Sequence, residues 1–396
     1  MKPLVASHPF GNPNVYNLAG GLFERGMLGS FHTSLFAPLG SHHRWHRGLE
    51  GAPVRTHPLP EIFRLAMTHC PIRRWNGRSP RFADWVAYRF DRTVARTLTG
   101  RDSSAYCYED SAAATFSRAR ELGMRTIYDL PTGYYEAKSW QRAEAERDPS
   151  LIPFLPGLDE LPAKLDRKRR ELQLADVVVC ASAFTRGTVR PYVPSSRPVI
   201  VVPYGVDLDC APKLWSESDL LGPVEVFFAG QLGPQKGLHY LFEALSGMPR
   251  GAVRLSLAGS WAQGFREWIV SRYSVPFVEL GQVPHNRIST ICRRSHLLVF
   301  PSLFDGFGLV LLEAMAAGIP VIASDRCGAP DVIADGAEGL VVPAAEPLRL
   351  RTALEWAAEN RGRLAEMGRG ARRTAERFTW ARYRERLIAA IAPYLN

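Results

Sequence analysis

Phe227-Phe-Ala-Gly-Gln-Leu-Gly-Pro-Gln-Lys-Gly237 and Pro301-Ser-Leu-Phe-Asp-Gly-Phe-Gly-Leu-Val-Leu-Leu-Glu-Ala-Met-Ala-Ala-Gly-Ile-Pro320 are the stretches whose reading decides the fold. In each, a short unbroken apolar run gives way to a glycine-rich loop, and an apolar segment of helical length follows. An unbroken run of Val, Ile, Leu and Phe suits a parallel strand buried on both faces. Similar runs recur at Leu4–Ala6, Ala105–Tyr108, Thr126–Asp129, Val177–Ala181, Val199–Val202, Val224–Ala229, Arg254–Ala258, Leu297–Phe300, Val321–Ala323 and Leu340–Val342. Helix-length segments such as Ala112–Leu122, Lys164–Leu174, Leu238–Leu245 and Leu309–Ala317 lie between them. This alternation predicts doubly wound α/β layers.

A chain of 396 residues is too long for one compact core, and it fits two domains of roughly 100–200 residues each. The break falls at Val201-Val-Pro-Tyr-Gly-Val-Asp207, where a buried strand ends in Pro203 and Gly205 and an irregular polar stretch follows. We therefore expect a first domain over 1–204, a second over 205–378, and a hinge near Pro203–Asp207. Trp380–Ile391 reads as an amphipathic helix, and 379–396 is expected to pack back on the first domain.

In open α/β sheets ligands bind beyond the carboxyl ends of the strands. A glycine-rich turn into a helix N-terminus presents backbone N–H groups that favour anions. Lys236 adds a point charge suited to phosphate; the alternative is a tight turn with a solvated lysine. Asp305 lies in the second loop and Glu313 about one turn into the helix that follows it. Carboxylates accept hydrogen bonds from sugar and ribose hydroxyls, so the pair could grip two hydroxyl sets on one ligand. The competing roles are a turn residue for Asp305 and a dipole-stabilising acid for Glu313.

The net charge is +10, and residues 1–100 carry 13 Lys/Arg against 5 Asp/Glu, which is +8 of it. Many of these arginines fall in Arg73–Arg96, interleaved with Trp75, Phe82, Trp85, Tyr88 and Phe90. A solvated basic face and an anionic membrane surface both fit such a helix. Nucleic acid does not, because no recognised binding motif accompanies the arginines. No apolar run approaches the ~18–20 residues needed to span a bilayer, and Met1–Phe10 reads as a first strand rather than a secretory signal. The six cysteines are scattered without metal spacing, as expected of buried thiols in a reducing cytoplasm. Ser41-His-His-Arg-Trp-His46 has no Cys or carboxylate at ligand spacing and reads as an exposed loop.

Ala175-Asp-Val-Val-Val-Cys-Ala-Ser182, Pro203-Tyr-Gly-Val-Asp207, the Lys236 loop, Leu280-Gly-Gln-Val-Pro284, the run Pro301–Pro320 and the string Ser324–Gly339, in that order and spacing, resemble glycosyltransferase family 4. The likeness runs from about Asp176 to Phe378. It implies an α/β GT-B architecture, two Rossmann-like domains facing across a cleft. It implies transfer of a sugar from a nucleoside diphosphate sugar to an acceptor hydroxyl with retention of configuration, and no required metal or other cofactor. The acceptor would be a glycan, a lipid-linked molecule or a small molecule. The scattered thiols and the basic first hundred residues, rather than the resemblance, give the expected location, cytoplasmic or peripheral on the inner face of the membrane.

Carried over residue by residue, the resemblance has Lys236 contact the diphosphate and Glu313 hold the ribose hydroxyls. Asp305 would hold the donor sugar, where the family usually has Glu. The amides of Leu309 and Val310 would face phosphate, and the Val283 backbone would pair with the base. Gly230, Gln231, Gly306, Phe307 and Gly308 complete the donor site; Gln231 stands where Arg is frequent. In the first half Gly11, Asn12 and Asn14 form a candidate acceptor or phosphate loop, with a simple β–α turn as the alternative. Glu109 is expected as a catalytic group orienting donor sugar or acceptor. Asp110 shares that reading, but a helix N-cap suits it better. Many relatives place a His near these acids, and none is visible at this point in the chain. Two other classes stay open: a nucleotide-sugar epimerase or phosphorylase of the same fold, and a non-catalytic nucleotide-sugar-binding protein.

Overall fold

The computed structural model describes residues 3–10, 12–36, 48–67, 80–155 and 162–395. The first sheet is built from β1 (Leu4–His8), β2 (Leu28–Thr33), β3 (Val54–Thr56), β4 (Ser104–Tyr108), β5 (Arg125–Leu130), β6 (Val177–Cys180) and β7 (Val199–Val201). Its order is β3-β2-β1-β4-β5-β6-β7, and every pairing is parallel. Its helices are α1 (Pro13–Glu24), α2 (Leu59–Met67), α3 (Pro80–Thr97), α4 (Ala113–Glu121), α5 (Ser139–Arg147), α6 (Pro162–Leu174) and α7 (Ala183–Val189).

The second sheet holds β8 (Val224–Ala229), β9 (Val253–Ala258), β10 (Phe277–Gly281), β11 (Leu297–Phe300), β12 (Val321–Ser324) and β13 (Gly339–Val342). It is parallel throughout, in the order β10-β9-β8-β11-β12-β13. Its helices are α8 (Leu238–Ser246), α9 (Phe265–Arg272), α10 (His285–Arg294), α11 (Leu309–Ala316), α12 (Ala329–Val332), α13 (Pro347–Glu359) and α14 (Arg361–Ala375), and α15 (Trp380–Ile391) follows.

Two parallel sheets wrapped by helices are what the strand-helix alternation predicts. The central strands β1, β6, β11 and β12 are buried along their whole length, so their apolar runs stand out in the sequence. Three strands escaped sequence reading. β3 and β10 are edge strands with mostly exposed or half-buried residues, and β2 carries Gly29, Ser30, His32 and Thr33 in place of an apolar run. The sheet rather than local propensity makes them extended.

In both sheets the strand order reverses at one point, between β1 and β4 and between β8 and β11. Such a switch point opens a crevice beyond the strand ends. The second crevice is flanked by the loops after β8 and β11, the two stretches that carry the glycines and Lys236.

The halves meet closely. Gly306 lies so near the chain after β5 that a Cβ there would stand 1.7 Å from the Pro131 carbonyl oxygen. The Ser182 and Thr185 hydroxyls donate to the Gly306 carbonyl at 2.5 and 3.1 Å. The Asp331 carboxylate accepts from the Ala183 amide at 3.0 Å. On α5, buried Glu144 bonds His239 at 2.9 Å and Tyr240 at 2.6 Å on α8.

The stretch expected to act as a hinge is doubled. The Val206 amide donates to Phe378 at 2.8 Å, and Val206 bridges Thr379, so the outgoing and returning chains run side by side. α15 then rests on α1, where Arg384 donates to Asn17 at 3.0 Å.

Candidate functional site

At the second crevice, Gly237 has φ 67° and lies so close to Pro301 that a Cβ would stand 1.9 Å from its carbonyl oxygen. Only glycine fits both constraints, and the contact brings the β8 loop against the β11 loop. Lys236 thereby reaches Asp305: its Nζ bonds Asp305 Oδ2 and lies over the Phe300 ring. Asp305 Oδ1 accepts the Phe307 amide at 3.1 Å, which holds the turn into α11. Gly308 is the N-cap of α11. The next two residues, Leu309 and Val310, are the first of the helix, so their N–H groups have no acceptor within it. Lys236, on the β8 loop, and these amides, after the β11 loop, flank the strand-order switch, and displacing the Asp305 carboxylate from Lys236 would leave an electropositive corner there.

Gln231 and Lys236 line one cavity of about 210 Å³ with Gly233, Gln235 and, from the first half, Pro153, Phe154 and Leu155. A second cavity of about 150 Å³ is lined by Glu313, Leu309, Asp207, Asp209, His285 and Trp380, among others. Glu313 Oε1 is 3.3 Å from Nδ1 of the half-exposed His285. Burial, reinforced by the Asp207 carboxylate, pushes the Glu313 carboxyl up to about 7. Val283 lies half-buried between β10 and α10. Gly230 directly follows β8, its amide donating to Ala258 at 3.0 Å.

The first half departs from expectation in places. Glu109 is 5% exposed and its Oε1 is held by Lys168 Nζ at 2.5 Å. It is a buried ion pair of the first half rather than a carboxylate offered to the cleft. Asp110 does not cap α4; it faces Lys168 at 3.0 Å. The free amides of that turn are taken by distant acids instead. Asp91 accepts from Ala114 and Thr115 at 2.7 and 2.9 Å, and Glu171 accepts from Asp110 and Ala112, both at 3.0 Å. Local sequence cannot reveal a cap supplied from another helix.

Asn12 donates to the Tyr108 hydroxyl at 3.1 Å and Asn14 to Asp129 at 3.4 Å, which joins the ends of β1, β4 and β5. Gly11 lies outside the described residues, as do Ser41–His46 and Cys70. A histidine does lie beside this turn, on β1 rather than near residue 109 in sequence. His8 packs on Tyr108 with ring centroids 3.9 Å apart, and burial lowers its pKa to about 3, so it stays neutral. Burial pushes the Asp129 carboxyl up to about 7. Strand adjacency alone brings His8 and Asp129 into this group. The contacts of Ser182, Thr185 and Asp331 went unread because they cross from one half to the other.

Among the described residues no group of three His, Cys, Asp or Glu is placed to hold a metal ion, and no helix is long and apolar enough to cross a membrane. The described cysteines are free thiols.

Residues 217–374 match the family described as glycosyl transferases group 1. The chain is 32% identical over 234 residues to the D-rhamnosyltransferase WbpZ of Pseudomonas aeruginosa, covering 56% of this chain and 58% of that protein. It is 31% identical over 340 residues to a D-inositol 3-phosphate glycosyltransferase of Streptomyces avermitilis, covering 80% and 66% respectively. The matched part is thus less than two thirds of either relative's length. Among solved structures, sucrose-phosphate synthase of Thermosynechococcus elongatus superposes with TM-score 0.72 at 17% identity, over 100% of this chain and 99% of that one. Anabaena HepE, solved with UDP, gives 0.66 at 17% identity, over 99% and 100%. The fold is that of these two-domain GT-B proteins.

Proposed function

We propose that the chain is a glycosyltransferase that moves a sugar from a nucleoside diphosphate sugar to an acceptor hydroxyl. The observation that carries this is the convergence of Lys236 and the α11 N-terminus at the strand-order switch, with Glu313 one turn deeper. An anionic diphosphate fits the electropositive corner, and vicinal ribose hydroxyls fit the acid in the adjoining cavity. The relatives named above act on sugars, which supports the same reading.

In the proposed reaction the bond from the anomeric carbon to the diphosphate oxygen breaks, and the acceptor oxygen bonds to that carbon on the same face. Same-face bonding retains the configuration, and the acceptor's proton passes to the departing phosphate. Negative charge grows on the diphosphate as the bond breaks. Fixed donors in a dry cleft stabilise growing charge best, so Lys236 and the Leu309 and Val310 amides supply that stabilisation without a metal. Before the donor arrives Lys236 is bound to Asp305. Donor binding would exchange that carboxylate for the diphosphate and release Asp305 toward the sugar. The acceptor side is then the crevice of the first sheet, where His8, Asn12, Tyr108 and Asp129 gather.

Gln231 at the cavity and Asp305 bound to Lys236 favour one other reading, a protein that binds nucleotide sugars without turnover. Calorimetry with UDP-, GDP-, ADP- and dTDP-sugars, UDP first because HepE is solved with it, tests donor binding. A transfer assay with the bound donor, in EDTA and over an acceptor panel, then decides. Product with an inverted anomeric centre, or activity lost in EDTA, would overturn the mechanism. Tight binding with no product across the panel would favour the non-catalytic reading.

A further inference from the structure

α2 is built inside out. Its i, i+3, i+4, i+7 face is Leu59, Ile62, Phe63 and Ala66, and all four are exposed, Leu59 at 79% and Ile62 at 52%. Such a stripe normally faces a core. Here the buried residue is Glu61, whose carboxylate accepts from Arg64 at 2.7 and 2.6 Å.

On neighbouring α3, Trp85, Tyr88, Arg89, Arg92 and Arg96 share one stripe by helical spacing, and all are exposed. Phe63, Phe82 and Trp85 join the two helices, with ring centroids 5.3–6.1 Å apart. Beyond Tyr88 the stripe turns to arginine. Among the described residues no carboxylate pairs with Arg89, Arg92 or Arg96, and Arg92 donates to the Tyr88 hydroxyl at 3.0 Å.

The stripe also walls a groove of about 1240 Å³, to which α4 and α6 add Arg118, Lys164, Arg167 and Arg170. The acids there are largely engaged. Asp84 is 3.2 Å from Lys164, Glu121 is 3.0 Å from Arg118, and Asp91 caps α4.

We infer that this face docks in the plane of an anionic phospholipid bilayer. Leu59, Ile62, Phe63 and Trp85 enter the boundary between headgroups and acyl chains, and Arg89, Arg92 and Arg96 lie among the lipid phosphates. An exposed apolar face edged by arginines and a tryptophan has the composition of an interfacial helix. Charge complementarity points the same way, because residues 1–100 hold +8 of the chain's +10. A second copy of the chain is a poorer occupant, since a two-fold contact sets the same patch against itself and opposes the arginines. Nucleic acid would gain nothing from Leu59 and Ile62. The inference is independent of the sugar-transfer reading.

Flotation of the full chain with phosphatidylcholine vesicles, with and without phosphatidylglycerol, tests it. Binding should rise with the anionic fraction and fall with salt. A basic residue near such a surface is worth roughly five-fold in partitioning. R89Q/R92Q/R96Q should therefore bind up to about 100-fold more weakly at low salt. L59E/I62E should lose binding too, and because both residues are exposed, at 79% and 52%, its unfolding temperature should stay that of the parent. Equal binding to neutral vesicles, no binding at low salt, or undiminished binding by either variant would overturn the inference. So would a dimer, seen by light scattering, that both variants dissociate, because the face would then be an interface between copies.

Discussion

Donor affinity should depend on pH through Glu313. Burial and Asp207 hold its carboxyl at about 7, against an ordinary value of 4.5. If the ribose hydroxyls need the ionised carboxylate, the protein binds donor only in that form. With a pKa of about 7, roughly one molecule in eleven is ionised at pH 6 and about ten in eleven at pH 8. The apparent dissociation constant should therefore be about ten-fold larger at pH 6, a difference of about 1.4 kcal/mol. Among the described residues the other titratable groups at this cavity are Asp207, Asp209 and Cys210 from the stretch after β7 and His285 and Cys292 from α10.

Calorimetry with UDP-glucose measures this, since a diphosphate esterified at both ends lacks the terminal phosphate ionisation near ~6. E313Q should weaken binding at pH 8 by roughly 1–3 kcal/mol and flatten the profile. Stability should move with it. The raised carboxyl stabilises the fold fully below 4.5 and loses that contribution as pH rises through about 7. The melting temperature should fall across this window in the parent and less in E313Q. A slope that survives in E313Q but vanishes in H285N would refute the assignment and give the titration to His285.

Lys236→Ala should lower kcat by about 10²–10³ with a smaller effect on KM, if the lysine stabilises the departing diphosphate; an unchanged kcat removes it from the reaction. Asp305→Ala frees Lys236, so it should tighten free UDP by about five-fold, the order of a partly exposed ion pair, while turnover of the sugar donor falls. Unchanged UDP affinity in calorimetry would mean that Asp305 does not compete for the lysine. Gly306→Ala drives a Cβ onto the Pro131 carbonyl and should destabilise the joined halves by about 1–3 kcal/mol, read as an earlier thermal transition. X-ray scattering should show a smaller radius of gyration with saturating UDP than without it, with the paired strands at Val206 and Thr379 as the turning point. Equal radii would mean that the contacts around Gly306 are kept throughout.

What the sequence determined by itself is local. Uninterrupted runs such as Val-Val-Val-Cys180 and Leu-Leu-Val-Phe300 are apolar on both faces, and no other environment suits them. Glycines with Lys236, and with Asp305 and Glu313, mark strand ends because chain reversal and anion contact need those residue types. α15 was legible from its amphipathic period alone, and in the structure Thr379 caps it, accepting from the Arg382 amide at 3.3 Å.

What only the tertiary structure decided is which distant groups meet. Strand order sets Lys236 against Asp305 and His8 against Tyr108. Helix packing assigns the caps of α4 to Asp91 and Glu171, and it withdraws Glu109 into a pair with Lys168. The edge strands β3 and β10 are extended because a neighbour pairs with them. The exposed face of α2 reads in sequence like any buried helix. Periodicity records that a face is apolar, but which side of the helix the rest of the chain covers is settled by packing.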